Sequence, residues 1–146
     1  MPVTAAELLD LSPDELDDLF RASPAGPIPV GRGDGTALLA PGTAFSTAAA
    51  KLARAVAWKG KVFDPVRGEL RNMVGPPGGL AIRAKVFLDQ GWFDGKESII
   101  LDYRNTSRVA HWIRDEIRMI GPGTYLGIAY WGHTKVLMFA LQFRPG

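Results

Sequence analysis

Downstream of residue 57, short segments of the chain alternate apolar and polar positions, and glycine or proline interrupts them roughly every ten residues. Segments of this kind are typical of strands that tight turns pair antiparallel. Six strands are predicted, at residues 58–63, 69–74, 80–88, 98–103, 125–131 and 135–143. Because closing such a sheet removes its exposed edges, the pattern predicts a small closed barrel within a β-rich α+β fold.

The first 22 residues are predicted to form a helical arm. Thr4 and Ser12 each stand three residues before a glutamate, which is the spacing of a capping box. Residues 23–42 are rich in proline and glycine, so we predict a loop there. The glycine cluster at 31–35 is interpreted as a turn, because it lacks the ending of a phosphate-binding loop.

Two further helices are predicted in the rest of the chain. Residues 46–57 have helical composition and place apolar side chains on one face. Residues 107–120 have apolar positions three and four apart and end at Gly121, so one helix is expected before the last hairpin. Its apolar stripe consists of Val109, Trp112, Ile113, Ile117 and Ile120. The charged segment at 114–118 is then either a solvated helix face with salt bridges or part of a binding site.

Length and composition narrow the class of protein. The 146 residues are interpreted as a single domain over 1–146, in which residues 43–146 are the helix and barrel body. The sequence contains no cysteine, which excludes a disulfide framework, a thiolate zinc site and cysteine catalysis. A reducing compartment is therefore expected, and we predict a cytoplasmic location. No apolar run approaches the ~18 residues of a membrane-spanning helix, so no integral membrane association is expected.

Charge is distributed unevenly along the chain. The first 30 residues contain six acidic residues and one basic residue, whereas the remainder contains nine acidic and sixteen basic residues. A nucleic-acid-binding surface would group its bases with stacking aromatic residues, but here the bases are scattered, so no nucleic-acid partner is expected. The acidic arm could pack across the basic body or, together with exposed apolar surface, mediate self-association as a homodimer.

The residue types argue against metal and serine chemistry. The chain has two histidines, His111 and His133, which cannot form a three-histidine zinc site, and no helical ligand spacing links them. No Gly-x-Ser-x-Gly motif is present to expose a nucleophilic serine. We therefore expect no metal and no cofactor.

Alternate residues of a small barrel face its interior, so small residues on an inward row can leave a pocket. Gly127 and Ala129 share a face with Tyr125 and Trp131, which leaves room beside aromatic walls. Alternatively, these small residues let a helix approach the sheet. The candidate ligand-binding residues are aromatic or basic, and they are Trp58, Lys61, Arg83, Lys85, Phe87, Arg114, Tyr125 and Tyr130.

Three functions are compatible with this pattern. The first is the binding of a small apolar or amphipathic molecule inside the barrel, with a basic side chain for an acidic, lipid-like head group. The second is a cofactor-free isomerase, cyclase or lyase acting on a lipophilic substrate. Asp102, Tyr103 and Glu116 are its candidate proton carriers, because a dry interior shifts pKa values. The third is an interaction or structural protein.

Four segments carry a resemblance to known proteins, and they are Trp58-Lys59-Gly60-Lys61-Val62-Phe63, Asp102-Tyr103, 114–118 and 122–127. In these segments the chain resembles uncharacterised bacterial proteins of about this length. It is also distantly similar to the lipocalin-like GXWXG family, in which a Trp-Tyr-Gly-Lys-x-Phe segment precedes a β-rich half. Lys59 stands in place of that tyrosine. The resemblance implies an antiparallel calycin-like or lipocalin-like small barrel and no established activity.

Overall fold

Antiparallel strands make up most of the computed structural model, which describes residues 4–38, 59–74, 79–106 and 111–144. Two helices and eight strands occur within these residues. They are α1 (Ala5–Leu9), α2 (Pro13–Ala22), β1 (Gly31–Leu38), β2 (Gly60–Asp64), β3 (Glu69–Val74), β4 (Gly79–Gln90), β5 (Glu97–Asp102), β6 (Ile113–Gly121), β7 (Thr124–Trp131) and β8 (Thr134–Phe143).

Each strand pairs antiparallel with the next one along the chain, and β1 also pairs with β8, so the sheet closes into an up-and-down barrel. Closure leaves none of these eight strands with an unpaired edge. The predicted β-rich antiparallel barrel with N-terminal helices is therefore confirmed. All six predicted strands are present, and their ends agree with the prediction to within two residues.

The N-terminal helices form as predicted, with a side-chain cap at α1 and a full capping box at α2. Thr4 Oγ1 accepts a hydrogen bond from the backbone N–H of Glu7, and Ser12 exchanges two hydrogen bonds with Glu15 at 3.0 and 3.1 Å. Helix α1 packs on the outer surface of β8 and β1, and α2 packs on β6. The buried side chains of this outer cluster include Leu8, Leu16, Phe20, Leu126, Ile128, Met138 and Ala140.

The interior of the barrel contains a second apolar cluster, which alternate residues of the strands supply. Its buried members include Phe63, Leu70, Ala84, Ile99, Leu101, Ile117, Phe139 and Leu141. Strands β7 and β8 contribute side chains to the inner cluster and to the outer cluster. Both of their faces are covered, which explains why neither row of their sequence is polar.

One end of the barrel is covered by residues 24–27, which follow α2. The backbone N–H of Met119 donates to carbonyl oxygens of this segment, and the Tyr125 hydroxyl donates to the carbonyl oxygen of Pro27 at 2.6 Å. Inside the barrel, the Phe143 ring meets the Tyr125 ring edge to face, with their centres 5.5 Å apart. This end is therefore closed by backbone and packed by aromatic rings.

The predicted helix at 107–120 is wrong, because Ile113–Gly121 form strand β6. The inward row of β6 contains Asp115 among apolar residues, and its outward row carries three charged residues. Because both faces carry charged residues, the alternation of apolar and polar positions expected of a strand is not visible in this segment. Its apolar residues also occur three and four positions apart, which is the spacing of a helix. The sequence pattern therefore favoured the helix.

The loop predicted at 23–42 and the turn at 31–35 are also corrected, because Gly31–Leu38 form strand β1. Gly33 of this strand pairs with Phe143 of β8, and a Cβ added to Gly33 would lie 2.5 Å from the Phe143 Cζ. The glycine thus allows an aromatic ring to approach the backbone of a strand rather than forming a turn. The helix predicted at 46–57 lies outside the described residues.

The pocket expected beside Gly127 is occupied by a side chain of the protein. Gly127 faces Phe139 across the β7–β8 pair, and a Cβ added to Gly127 would lie 2.3 Å from the Phe139 Cζ. The missing side chain makes room for this ring. Both interpretations of the glycine, the pocket and the helix contact, are therefore wrong at this position.

We expect Gly127→Ala to destabilise the protein by about 1–3 kcal/mol, because the new methyl group overlaps the Phe139 ring. Adding Phe139→Leu should recover part of the lost free energy of unfolding, since it removes the overlapping ring atoms. Urea unfolding of the two single variants and the double variant measures this coupling. Purely additive effects in the cycle would argue against the contact.

Candidate functional site

Four polar side chains lie together inside the barrel and form the candidate site, called the polar network below: Lys61, Asn72, Tyr103 and Asp115. Lys61 Nζ lies 3.1 Å from Asp115 Oδ2, and it donates to Asn72 Oδ1 at 2.8 Å and to Tyr103 Oη at 2.6 Å. Asn72 Nδ2 donates to Tyr103 Oη at 2.8 Å. None of the four residues is more than 5% exposed, so the network is buried.

Strand register brings these residues to the same end of the barrel. Lys61 lies near the start of β2, and it pairs with Asn72, which lies near the end of β3. Asp115 lies near the start of β6, and Tyr103 directly follows β5. The polar network is therefore close to the end opposite the one that residues 24–27 cover.

A β-bulge fixes the orientation of Asn72. The register of β3 and β4 shifts after Arg71, so that Ile82 is an extra residue on β4. Its positive φ of 53° is unusual for a β-branched residue. The Ile82 carbonyl oxygen accepts a hydrogen bond from Asn72 Nδ2 at 2.9 Å. The bulge thus holds the Asn72 amide with its oxygen toward Lys61.

Burial dominates the electrostatics of the network. It raises the pKa of Asp115, and the charge and hydrogen bond of Lys61 offset only part of this rise. Burial also raises the pKa of Tyr103, which keeps the hydroxyl protonated. Burial acts to lower the pKa of Lys61, but Tyr103 and Asp115 outweigh it through charge and hydrogen bonds, so this pKa is raised. The site combines an ammonium group with a carboxyl group that is protonated more easily than usual.

One oxygen atom of the network is not satisfied. Asp115 Oδ1 is buried and has no hydrogen-bond partner within the described part of the chain. A buried carboxylate oxygen without a partner costs free energy that folding alone does not recover. This atom is therefore the feature of the interior that most needs a functional explanation.

We expect Lys61→Met and Asp115→Leu each to destabilise the protein by about 3–5 kcal/mol, because each leaves a buried charge unpaired. The double variant should regain most of this free energy, since it replaces the pair by apolar side chains of similar volume. Guanidinium chloride unfolding of all three variants measures the effects. A double variant no more stable than the single variants would mean that the pair is required for the fold itself.

The predicted ligand-binding residues are divided between the two faces of the barrel. Lys61 and Tyr125 face the interior, and Trp58 lies outside the described residues. The others lie on the outer surface, and they are Arg83, Lys85, Phe87, Arg114 and Tyr130. The expectation that Arg83, Lys85 or Arg114 holds a head group inside the barrel is therefore wrong.

Of the predicted proton carriers, Tyr103 alone faces the interior. Asp102 lies on the outer surface, where its Oδ1 accepts a hydrogen bond from the backbone N–H of Arg104 at 2.9 Å. Glu116 also points outward and is fully buried against Trp92, whose backbone N–H donates to Glu116 Oε2 at 2.7 Å. These three residues therefore do not form one site.

The charged segment at 114–118 is not a solvated helix face, because Arg118 is fully buried. Its guanidinium donates to the two carboxylate oxygens of Asp94 at 2.5 and 2.8 Å and to Ser98 Oγ at 2.9 Å. It also donates to the carbonyl oxygen of Phe20 at 3.0 Å. Arg118 thus holds the end of α2 and the β4–β5 turn against β6.

The hydrogen bonds from Arg118 lower the pKa of Asp94 from its usual 3.8 to about 2. The pKa of Asp94 is lower in the folded state than in the unfolded state, so the ionised carboxylate stabilises the fold at pH values above 3.8. This contribution is lost as the pH falls from 3.8 toward about 2. The stability difference between wild type and Asp94→Asn should therefore shrink by about 2 kcal/mol on acidification. Urea unfolding at a series of acidic pH values measures this difference.

Asp18→Asn is the matched control, because Asp18 pairs with Arg21 in solvent, where ion pairs contribute little. A stability difference for Asp94→Asn that does not change with pH would speak against the ion pair with Arg118.

Sequence analysis does not identify Asn72 or Asp115. Asn72 lies two positions after the inward-facing Leu70, so the alternation of β3 carries the signal that could have found it. Asp115 could have been found only after β6 was assigned as a strand, because only the strand puts Asp115 on the inward row of the barrel.

Other features of the described residues do not extend the site. Two shallow depressions of ≈ 150 and ≈ 260 Å³ near the β2–β3 turn share no residue with the polar network. Among the described residues, no three His, Asp or Glu side chains are grouped to hold a metal ion. None of the described helices has the length and apolar character needed to cross a membrane.

No family model and no curated protein matches this chain. The structure is similar to the crystal structure of a protein from Thermomonospora curvata, with a TM-score of 0.67, 17% sequence identity, and coverage of 92% of this chain and 89% of that chain. At this identity the likeness shows the fold alone. The chain is a small closed antiparallel barrel of eight strands, whereas its relationship to the lipocalin-like GXWXG family stays a prediction.

Proposed function

We propose that the protein binds a small amphipathic molecule inside the barrel, with the polar end of the molecule at the polar network. The observation that carries the proposal is the Lys61–Asp115 pair, whose side chains are each 4% exposed among apolar neighbours. Apolar side chains of similar volume often fill such a space at equal or lower free energy. The stability of the fold does not require the Lys61–Asp115 pair, whereas a binding role gives these two charges a function.

The polar network lies near one end of the barrel. Residues 24–27 cover the opposite end. At the network's end, the inward row of β7 finishes with Trp131, which is 46% exposed and pairs with Ile113 of β6. An exposed aromatic residue at this end of the barrel, with a polar group further inside, suits a molecule whose polar end binds deeper than its apolar end.

The alternative function, a cofactor-free acid/base enzyme, has less support. Its predicted carriers are separated, because Tyr103 is inside the barrel while Asp102 and Glu116 are outside. Asp115 lies beside Tyr103 in the interior and is an acidic group that the sequence analysis did not predict, but no observation indicates a substrate for it. The binding function is therefore the one we propose. A homodimer and an interaction role for the acidic arm stay predictions.

Titration with N-phenyl-1-naphthylamine, a neutral fluorophore whose emission rises in apolar surroundings, tests the proposal. We expect saturable one-to-one binding to the wild-type protein. Ala129→Leu should weaken binding about ten-fold or more, because Ala129 pairs with Asp115 on the inward face and a larger side chain takes the space of the ligand.

Ala6→Leu is the matched control, because it makes the same change at an exposed position of helix α1, outside the barrel. It should leave the affinity for the fluorophore unchanged. The proposal fails if Ala129→Leu binds the fluorophore as well as Ala6→Leu does, or if the wild-type protein binds neither the fluorophore nor a linear amphiphile such as 1-octanol.

A further inference from the structure

The hydrogen-bonding capacity of Lys61 is used by the protein itself. An ammonium group has three donors. Lys61 directs them to Asn72 Oδ1, Tyr103 Oη and Asp115 Oδ2. An anionic ligand would therefore have to displace one of these contacts before Lys61 could bind it.

The amide and the hydroxyl of the network are used as well. Asn72 Nδ2 has two hydrogens, which it donates to Ile82 O and Tyr103 Oη, and Asn72 Oδ1 accepts from Lys61. Tyr103 Oη accepts from Lys61 and Asn72, and the Tyr103 hydroxyl forms a hydrogen bond with Asp115 that acts to lower the pKa of this carboxyl group. Neither group has a donor to offer a ligand.

The oxygen of the network that has no hydrogen-bond partner among the described residues is an acceptor. Asp115 Oδ1 is buried without a hydrogen-bond partner among the described residues, while Oδ2 meets Lys61. The Asp115 side chain faces the interior, and its partner on β7 is Ala129, whose side chain is a single methyl group. The unsatisfied oxygen therefore lies where the neighbouring strand contributes little side-chain volume.

A second buried carboxylate oxygen without a partner, Glu116 Oε1, shows what distinguishes Asp115. Glu116 lies on the outer face, and a Cβ added to Gly91 would lie 2.8 Å from this oxygen. The backbone at Gly91 thus covers Glu116 Oε1 closely. Of these two oxygens, only Asp115 Oδ1 belongs to the inward row, which faces the proposed ligand.

From this inventory we infer that the ligand of the barrel is a small alcohol whose hydroxyl group donates a hydrogen bond to Asp115 Oδ1. The inference rests on the proposed function and specifies the chemistry of its ligand. A hydrogen bond from such a donor to a buried carboxylate is charge-assisted and therefore strong. A carboxylate or phosphate head group would meet Asp115 as a like charge, so the acidic head group expected from the sequence is disfavoured.

Isothermal titration calorimetry with three ligands of similar length tests the inference. 1-Octanol has a donor, heptyl methyl ether has the same number of heavy atoms without a donor, and octanoate is an anion. We expect 1-octanol to bind about ten-fold tighter or more than the ether and octanoate. Backbone amide shifts on adding 1-octanol should be largest in β6 and β7 around Asp115.

Asp115→Asn places an amide where the free acceptor was, so the preference for 1-octanol over the ether should disappear. Glu116→Gln is the matched control, because it changes the other unpartnered buried carboxylate on the outer face, and it should keep the wild-type preference. If Asp115→Asn does not fold, the three wild-type affinities decide the question by themselves.

The two proposals fail in different ways. If N-phenyl-1-naphthylamine binds but octanoate or the ether matches 1-octanol, the ligand chemistry inferred here is wrong and the binding function stands. If neither the fluorophore nor any of the three ligands binds, the binding function itself is wrong.

Discussion

The pairing of β1 with β8 is the constraint on which the rest of the structure depends, because it turns a sheet into a cylinder with an inside and an outside. Once the cylinder is closed, each strand residue belongs to one of two separate environments. Lys61 and Asp115 come from strands that are far apart in the order of the sheet, and they meet across the interior. Closure thus creates both the apolar surroundings and the ion pair inside them.

The same closure sets the size of the side chains that can face inward. Phe139 and Phe143 project from β8 into the narrow interior, and each lies over a glycine of a neighbouring strand, Gly127 and Gly33 respectively. A small barrel can hold large rings only where the facing backbone carries no side chain. The glycines are consequently part of the packing of the interior, and they do not mark turns or empty space.

Most of the fold could be predicted from the sequence, and the two errors have a common cause. Alternation reveals a strand when one row is apolar and the other polar. Strand β6 has a charged residue inside, Asp115, and a buried charged residue outside, Arg118, so its rows could not be told apart. Strand β1 begins with glycines that carry no pattern at all. The helices, by contrast, have caps whose chemistry is local to Thr4 and Ser12.

The candidate site was less predictable than the fold, because it depends on which way each strand faces. Lys61 and Tyr103 were among the predicted residues, but the basic residues of β4 face outward. A bulge such as the one at Ile82 changes which row faces inward, and the sequence gives no clear sign of it. Contacts between distant strands, such as that of Lys61 with Asp115, follow from the register of all the strands between them.

Arg118 has a consequence for how the molecule opens. It joins β6 to the Phe20 carbonyl of α2 and to Asp94 of the β4–β5 turn, and its guanidinium lies 4.4 Å from the centre of the Phe20 ring. Undocking of α2 would remove the hydrogen bond from Arg118 to the Phe20 carbonyl oxygen and would expose the Phe20 ring. Helix α2 is therefore expected to unfold together with the barrel, with its amide protons exchanging through global rather than local opening.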